Sequence, residues 1–195
     1  LEYDDVMNTQ RKIIYEQRRQ VLDGEDLQKS IASMMQYYVE SYVTNAFAGQ
    51  PHLEDRQAFF ALMSHFENIC FPKGAWIATD EELQTMDAAQ MTDRISDMLR
   101  KSYEKKEAQY GSAVMRELER VITLRVVDEY WMDHIDAMTD LRQGIGLRAY
   151  AQTDPIIAYK KESLEMFEEM ISAIQEETVR RLYSVRLRKN EEVKR

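Results

Sequence analysis

The sequence predicts an all-α protein. Glycine and proline are scarce among the 195 residues, at 6 and 3, so long stretches run without the residues that interrupt helices. Apolar residues recur at steps of three and four through most of the chain, the spacing that places them on one face of a helix. Hydrophobic residues make up 44% and charged residues 31% of the chain, a balance typical of globular proteins. This length predicts one helical domain or two small ones.

Two helices are predicted in the first 47 residues. The first covers residues 1–22, where apolar side chains alternate with Arg, Lys, Gln and Glu. The run Asp23–Asp26 interrupts it, and Gly24 is suited to end a helix because glycine adopts positive φ without strain. The second extends from about Leu27 to Phe47. Its apolar residues share one face: Ile31, Met34, Met35, Tyr38, Tyr42 and Val43.

Residues 48–80 have a different composition. They hold two of the three prolines, two of the six glycines and two of the three histidines. A short helix is predicted from Asp55 to about Phe71, and a new helix after Thr79, which serves as N-cap with acidic residues on the first turn. A further helix is expected from about Thr92. We interpret residues 50–109 as a small subdomain of short helices between longer ones.

The last part of the sequence has the most regular pattern. A long helix is predicted from Ser112 to Leu141, followed by a connecting segment, residues 142–153, that contains Gly144 and Gly146. Asp154-Pro155 then starts another helix of about 33 residues, with Asp as N-cap and Pro at the first helical position. Two long helices joined by a short glycine-bearing loop predict an antiparallel hairpin.

Composition excludes several classes of function. The net charge is −9 and no basic face is visible at this scale, so a general nucleic-acid binder is not expected. The single cysteine, Cys70, allows neither an intramolecular disulfide nor a cysteine-rich zinc site, which indicates a reducing compartment. No apolar run approaches the ~18 residues of a membrane span. Because the chain starts at Leu1 and not at methionine, it is interpreted as an excised fragment.

No motif for catalysis or metal binding is present. The sequence contains no GxxxxGK[ST], GxSxG, HExxH or GxGxxG, so no phosphate-binding loop or hydrolase motif is predicted. His134 is flanked by Asp133 and Asp136, but adjacent helical residues point about 100° apart and do not converge on one ion. No metal site is therefore predicted, and His52 and His65 are interpreted as structural or exposed.

Two long segments resemble the SecA family of preprotein-translocase motors. LEYDDVMNTQRKIIYEQR (Leu1–Arg18) looks like the start of that family's long scaffold helix. WMDHIDAMTDLRQGIGLRAYAQTDPIIAYKKESLEMF (Trp131–Phe167) is similar to its two-helix finger, most specifically over Leu141–Pro155. Residues 50–109 match only loosely, in the position of the family's helical wing. The resemblance thus covers both ends strongly and the middle by position.

The resemblance implies a division of labour along the chain. Residues 1–49 would start the helical scaffold, residues 50–109 would form the wing, residues 110–189 would complete the scaffold as the two-helix finger, and residues 190–195 would be a tail. The finger would contact the preprotein and the SecYEG channel and restrain ATP hydrolysis by the motor domains. This chain would hold no cofactor, since ATP and magnesium bind in those domains. It would work in the bacterial cytoplasm and peripherally at the anionic membrane.

Three groups of site residues follow from the resemblance. The finger tip, in contact with preprotein, would be Arg142, Gln143, Gly144, Ile145, Gly146, Leu147, Arg148, Ala149 and Tyr150. Finger–scaffold packing and regulation would involve Trp131, His134 and Met138. The part of the scaffold that faces the nucleotide-binding domains would be Tyr3, Asp4, Asp5, Asn8 and Arg11.

The tip also has a physical interpretation of its own. Residues 141–153 contain no carboxylate, two glycines that permit positive φ, and Tyr150, whose flat ring and single hydroxyl suit contact with chains of any sequence. The alternative is an ordinary helix–helix turn with a tyrosine lying on the hairpin. Likewise Trp131 either only anchors the hairpin or also acts as a switch. The basic run Arg180–Lys189 is either a solvated helix end or a contact for anionic lipid or the channel.

Two other functions are alternatives to the SecA interpretation. An independent helical adaptor would bind a partner helix in a methionine-rich groove, since thioethers suit varied apolar surfaces. We favour helix-core packing as the role of the twelve methionines. A helical metalloenzyme would need paired ExxH motifs on facing helices, and the sequence has no such pair.

Overall fold

The computed structural model describes residues 2–24, 27–148 and 154–187, with the backbone alone described at residue 148. These residues form seven α-helices and no β-strand, so the predicted all-α fold is confirmed. The helices are α1 (Glu2–Asp23), α2 (Leu27–Phe47), α3 (Arg56–Ser64), α4 (Asp80–Thr85), α5 (Ala88–Tyr110), α6 (Ser112–Arg148) and α7 (Pro155–Ser184).

The chain forms two compact units. The first unit consists of Leu1–Tyr38 and Glu107–Val179, and the second of Val39–Lys106 and Arg180–Arg195. Compactness does not by itself define the domains of a family, so the boundaries predicted after residues 49, 109 and 189 remain predictions.

The first unit is built on α1, α6 and α7. Contacts between α1 and α6 follow in opposite order along the two helices, which therefore run antiparallel: Asp4 with Arg142, Gln10 with His134, and Arg18 with Asp128. The α6–α7 contacts also follow in opposite order, because His134 lies near Phe167 while Met138 clusters with Tyr159. The predicted hairpin connection includes residues 149–153, which lie outside the described residues.

Local sequence explains where α1 ends and α7 begins. Gly24 has φ +70°, and its N–H bonds the carbonyl of Val21 at 3.2 Å, an end suited to glycine because it has no Cβ. Asp154 caps α7 as predicted, since its carboxylate accepts the N–H of Ile156 at 3.0 Å, and Pro155 occupies the first helical position.

The second unit corrects one predicted helix. α3 starts after Asp55, which caps it through the N–H of Ala58 at 2.8 Å, but it ends at Ser64 and not near Phe71. Asn68 has φ +64° and its N–H bonds the carbonyl of Phe71 at 2.7 Å. This tight turn is incompatible with a continuing helix.

Reciprocal caps start the next two helices. Thr79 and Glu82 form the capping box of α4, which confirms the N-cap predicted at Thr79. α5 starts at Ala88, four residues before the predicted Thr92, because Asp87 and Gln90 each accept the backbone N–H of the other, at 2.8 and 3.0 Å. The pair satisfies two donors that a bare helix start would leave unbonded.

Lys106 holds the end of α7 in the second unit. Its Nζ donates to the carbonyls of Leu182, Tyr183 and Val185 at 2.7, 3.1 and 2.6 Å. The last carbonyls of a helix have no partner within the helix, and a cation suits the negative end of its dipole. Burial, and after it Arg186, lowers the pKa of Lys106 to about 8, so the ammonium form still dominates at pH 7.

Many of the methionines lie in the core. Met63, Met91, Met115, Met138 and Met170 are each at most 6% exposed. These side chains fill space between helices, as flexible thioethers commonly do. Met132, at 67% exposed, is the strongest exception among the described methionines.

Candidate functional site

Residues from two of the predicted groups meet at one end of the first unit. The ring of Tyr3 packs edge-on against Tyr159, with centroids 4.7 Å apart. The guanidinium of Arg142 lies 5.2 Å from the Tyr3 ring centroid, and its Nη1 is 3.0 Å from Oδ1 of Asp4. Arg142, predicted at the finger tip, is therefore held against the start of α1.

The other predicted scaffold residues lie along the accessible side of α1. Asp5 is exposed, and its backbone carbonyl accepts a hydrogen bond from the Thr9 hydroxyl at 2.9 Å. The Arg11 guanidinium donates a hydrogen bond to Asn8 Oδ1 at 3.1 Å. Asn8 and Arg11 also line a hollow of about 440 Å³ between α1, α6 and α7. The hollow is lined by Asp4, Met7, Asn8, Arg11, Ile135, Met138, Thr139, Arg142 and Tyr159.

The three residues predicted for packing and regulation are all buried. Trp131 is 6% exposed, His134 5% and Met138 2%. Trp131 belongs to an apolar cluster with Ile14 of α1 and Phe167 of α7. Trp131 therefore packs α6 against both α1 and α7.

His134 is enclosed by aromatic rings and one amide. Its ring centroid lies 5.5 Å from that of Trp131 and 5.8 Å from that of Phe167. Its Nε2 lies 2.7 Å from Oε1 of Gln10, and since an amide oxygen only accepts, Nε2 carries the proton. Burial lowers the pKa of His134 below its ordinary value, so the neutral ring is favoured.

Gln10 is a site residue that the sequence analysis missed. It is 6% exposed, and while its oxygen accepts from His134, its Nε2 donates to the carbonyl of Ser163 at 3.3 Å. One glutamine thus bonds both α6 and α7. A signal was available, because Gln10 occupies the apolar stripe of α1 between Met7 and Ile14.

The predicted tip loop is wrong over residues 142–148, which are the last two turns of α6. Gly144 and Gly146 are not among the residues with positive φ. Ile145 is 1% exposed and clusters with Met138 and Tyr159. Burial of an Ile side chain gains ~1.5–3 kcal/mol, which offsets the cost of ~1 kcal/mol for each helical glycine.

The end of α6 presents both buried and accessible side chains. Gln143 is exposed and Leu147 is 77% exposed, whereas Ile145 faces the core. Of the predicted tip, Ala149 and Tyr150 lie outside the described residues, as does the side chain of Arg148.

Alanine at both helical glycines is expected to stabilise the chain. A Cβ built on Gly144 or Gly146 meets no atom within 4 Å, and alanine is favoured over glycine in a helix by ~0.8–1.0 kcal/mol. We therefore expect Gly144→Ala/Gly146→Ala to raise the unfolding free energy by roughly 1–2 kcal/mol in urea titrations. A loss of stability would instead indicate a loop with positive φ at these positions.

Acidification is expected to destabilise the fold through His134. The unfolded chain has the higher His134 pKa, so it binds more protons below about pH 6.5, and stability falls as the pH drops through that region. Four carboxylates have a lowered pKa in the folded chain, and they lose their contributions to stability only when the pH falls below their ordinary pKa of 4.5 or less. They are Glu16, Glu82, Asp97 and Glu117. In urea unfolding between pH 7 and 5, the unfolding free energy of His134→Gln should depend on pH less than that of the wild-type chain. An equal dependence in the two proteins would contradict this origin.

Comparison with known proteins identifies the family. Residues 1–186 match the family described as the SecA Wing and Scaffold domain. The chain belongs to this SecA family. Similar curated proteins are protein translocase subunits SecA from Clostridium acetobutylicum, 46% identical over 185 residues and 95% of this chain, and Acetivibrio thermocellus, 44% over 190 residues and 97%. A third, from Clostridium perfringens strain SM101, is 48% identical over 193 residues and 96% of the chain.

The chain spans about a fifth of these SecA subunits, covering 22%, 21% and 22% of their respective lengths. The match to the SecA family covers residues 50–109, where the resemblance in the sequence analysis was loose, as well as both ends of the chain. Within the described ranges, none of the helices combines the length and apolar character needed to cross a bilayer.

Proposed function

We propose that this chain is the helical scaffold, wing and two-helix finger portion of a SecA protein-translocation motor. The match of residues 1–186 to the SecA Wing and Scaffold domain carries the proposal, supported by relatives named protein translocase subunit SecA. ATP and magnesium would bind in nucleotide-binding domains outside this chain. The motor would act in the bacterial cytoplasm and at the cytoplasmic face of the membrane.

The finger would contact the translocating preprotein and the SecYEG channel. α6 and α7 lie side by side through much of their length, and a packed pair of long helices can carry a tip far from the body as a stiff arm. Leu147, 77% exposed near the end of α6, supports an accessible apolar surface there. Tyr150, three residues further on, is the proposed main contact with the preprotein.

The scaffold would couple the finger to ATP hydrolysis. Trp131, Ile14 and Phe167 share one apolar cluster, so a displacement of α1 by the motor domains would move or strain α6 and α7 together. The same cluster would let the finger restrain hydrolysis when no substrate is engaged.

A cross-linking experiment tests the contact with the preprotein. Tyr150→Cys in the full-length subunit should cross-link to a preprotein stalled in the channel. The matched control is Glu165→Cys, an exposed position along α7, which should give no cross-link. Cys70 should not interfere, because it is 2% exposed and burial raises the pKa of its thiol to about 12, and thiolates are the reactive form.

Normal transport with no cross-link from Tyr150→Cys would overturn the tip contact. The hairpin would then serve as a brace and regulator, and the interface between scaffold and motor would become the place to look for coupling.

A further inference from the structure

A polar layer lies between two apolar clusters along the helices of the first unit, and Met7 packs against both clusters. On one side are Ile14 of α1, Trp131 of α6 and Phe167 of α7. On the other side are Met138 of α6 and Tyr159 of α7, with Tyr3 of α1 packed against them. Between the clusters lie Gln10, His134 and Ser163, one from each helix and each at most 6% exposed.

The layer is joined by directional bonds. His134 Nε2 donates to Gln10 Oε1 at 2.7 Å, and Gln10 Nε2 donates to the Ser163 carbonyl at 3.3 Å. The Ser163 hydroxyl is satisfied within its own helix by the Lys160 carbonyl at 3.0 Å. Gln10 is therefore the member that connects the three helices.

The apolar layers alone specify the alignment of these helices weakly. Hydrophobic burial is non-directional, and apolar residues follow one another at helical spacing along all three helices. A slip of one turn, about 5.4 Å, would replace many apolar contacts by others. The same slip would leave Gln10 and His134 buried against apolar side chains without their partners, which is costly.

We infer that Gln10 and His134 are positioning residues that fix the axial register of α6 and α7 against α1. A single buried polar residue sets register in coiled coils in the same way, at some expense of stability. The register would also determine how a displacement of the scaffold helix is transmitted to the finger. This consequence for coupling rests on the proposed function.

The test replaces the polar pair by apolar residues of similar shape. Gln10→Met/His134→Phe keeps a long side chain at position 10 and a ring between Trp131 and Phe167, but removes both bonds. Because both partners are replaced together, the unfolding equilibrium constant should stay within about tenfold of the wild type. Gln17→Met, the same substitution at an exposed position of α1, is the matched control.

The distance between a label on α1 and a label on α6 reports the register, whereas the unfolding free energy does not. Spin labels on cysteines at Lys12 and Asp140, exposed positions of α1 and α6, should give one narrow distance distribution in the wild-type chain and in Gln17→Met. In the double variant the distribution should broaden or shift by up to about 5.4 Å, one helical turn. An unchanged distribution in the folded double variant would overturn the inference.

Two further measurements keep the test decisive. If the double variant does not fold, Gln10→Met alone is labelled in the same way, and an unchanged distribution there would again overturn the inference. In the full-length subunit, the double variant should raise ATP hydrolysis without substrate by about fivefold or more, the lower range of coupling between sites. A shifted distance with unchanged hydrolysis would support the register role and contradict the proposed coupling.

Discussion

Replacing Trp131 with alanine should lower the unfolding free energy of the chain by ~3–5 kcal/mol, the usual effect of deleting a large buried aromatic side chain. Trp131 is 6% exposed and belongs to the cluster that joins Ile14 of α1 to Phe167 of α7. Its ring also covers His134, with centroids 5.5 Å apart. The cavity would lie where three helices meet, so the surrounding side chains could close it only partly.

The neighbouring residue provides the control for this prediction. Met132 is 67% exposed, and Met132→Ala should change stability by no more than about 0.5 kcal/mol. Urea unfolding followed by circular dichroism measures both variants without relying on tryptophan fluorescence. Similar midpoints for Trp131→Ala and Met132→Ala would contradict the assignment of Trp131 to the shared core.

Replacing Lys106 with methionine should destabilise the end of α7 by ~1.5–3 kcal/mol, the range for hydrogen bonds to a charged group. Methionine keeps most of the apolar stem but cannot donate to the carbonyls of Leu182, Tyr183 and Val185. Those carbonyls would lose a partner at the negative end of the helix dipole. The largest change should therefore appear in the last turn of α7.

Lys105→Met is the matched control, because Lys105 is exposed and the same charge is removed. Hydrogen exchange of amides in the last turn of α7 should accelerate in Lys106→Met and stay near the wild-type rate in Lys105→Met. Equal exchange in the two variants would show that the three carbonyl bonds do not hold the helix end.

The helical conformation of the segment around Gly144 and Gly146 could not be predicted from the sequence. Two glycines three and five residues after the predicted helix end at Leu141 predict a loop, yet α6 continues through both to Arg148. Ile145 explains why the helix continues, because its side chain is 1% exposed and packs with Met138 and Tyr159. Local propensity could not anticipate this burial, since its partner Tyr159 comes from another helix.

Gln10 and Lys106 show the same limit for polar residues. Each sits in a segment rich in charged and amide side chains, where the default expectation is exposure. Their partners, His134 for Gln10 and the end of α7 for Lys106, are more than 70 residues away in sequence. Only the folded chain shows that one of them bridges three helices and the other caps a helix end.

The sequence by itself determined the helical class, most helix starts and the family. Caps such as Thr79 and Asp154 act within four residues, and apolar periodicity is a property of a single helix, so both can be read without a fold. The tertiary structure alone decided that α6 extends through its glycines, that Arg142 lies against Tyr3 and Asp4, and that Gln10 joins His134. Each of these depends on energy shared between distant segments, which no local pattern specifies.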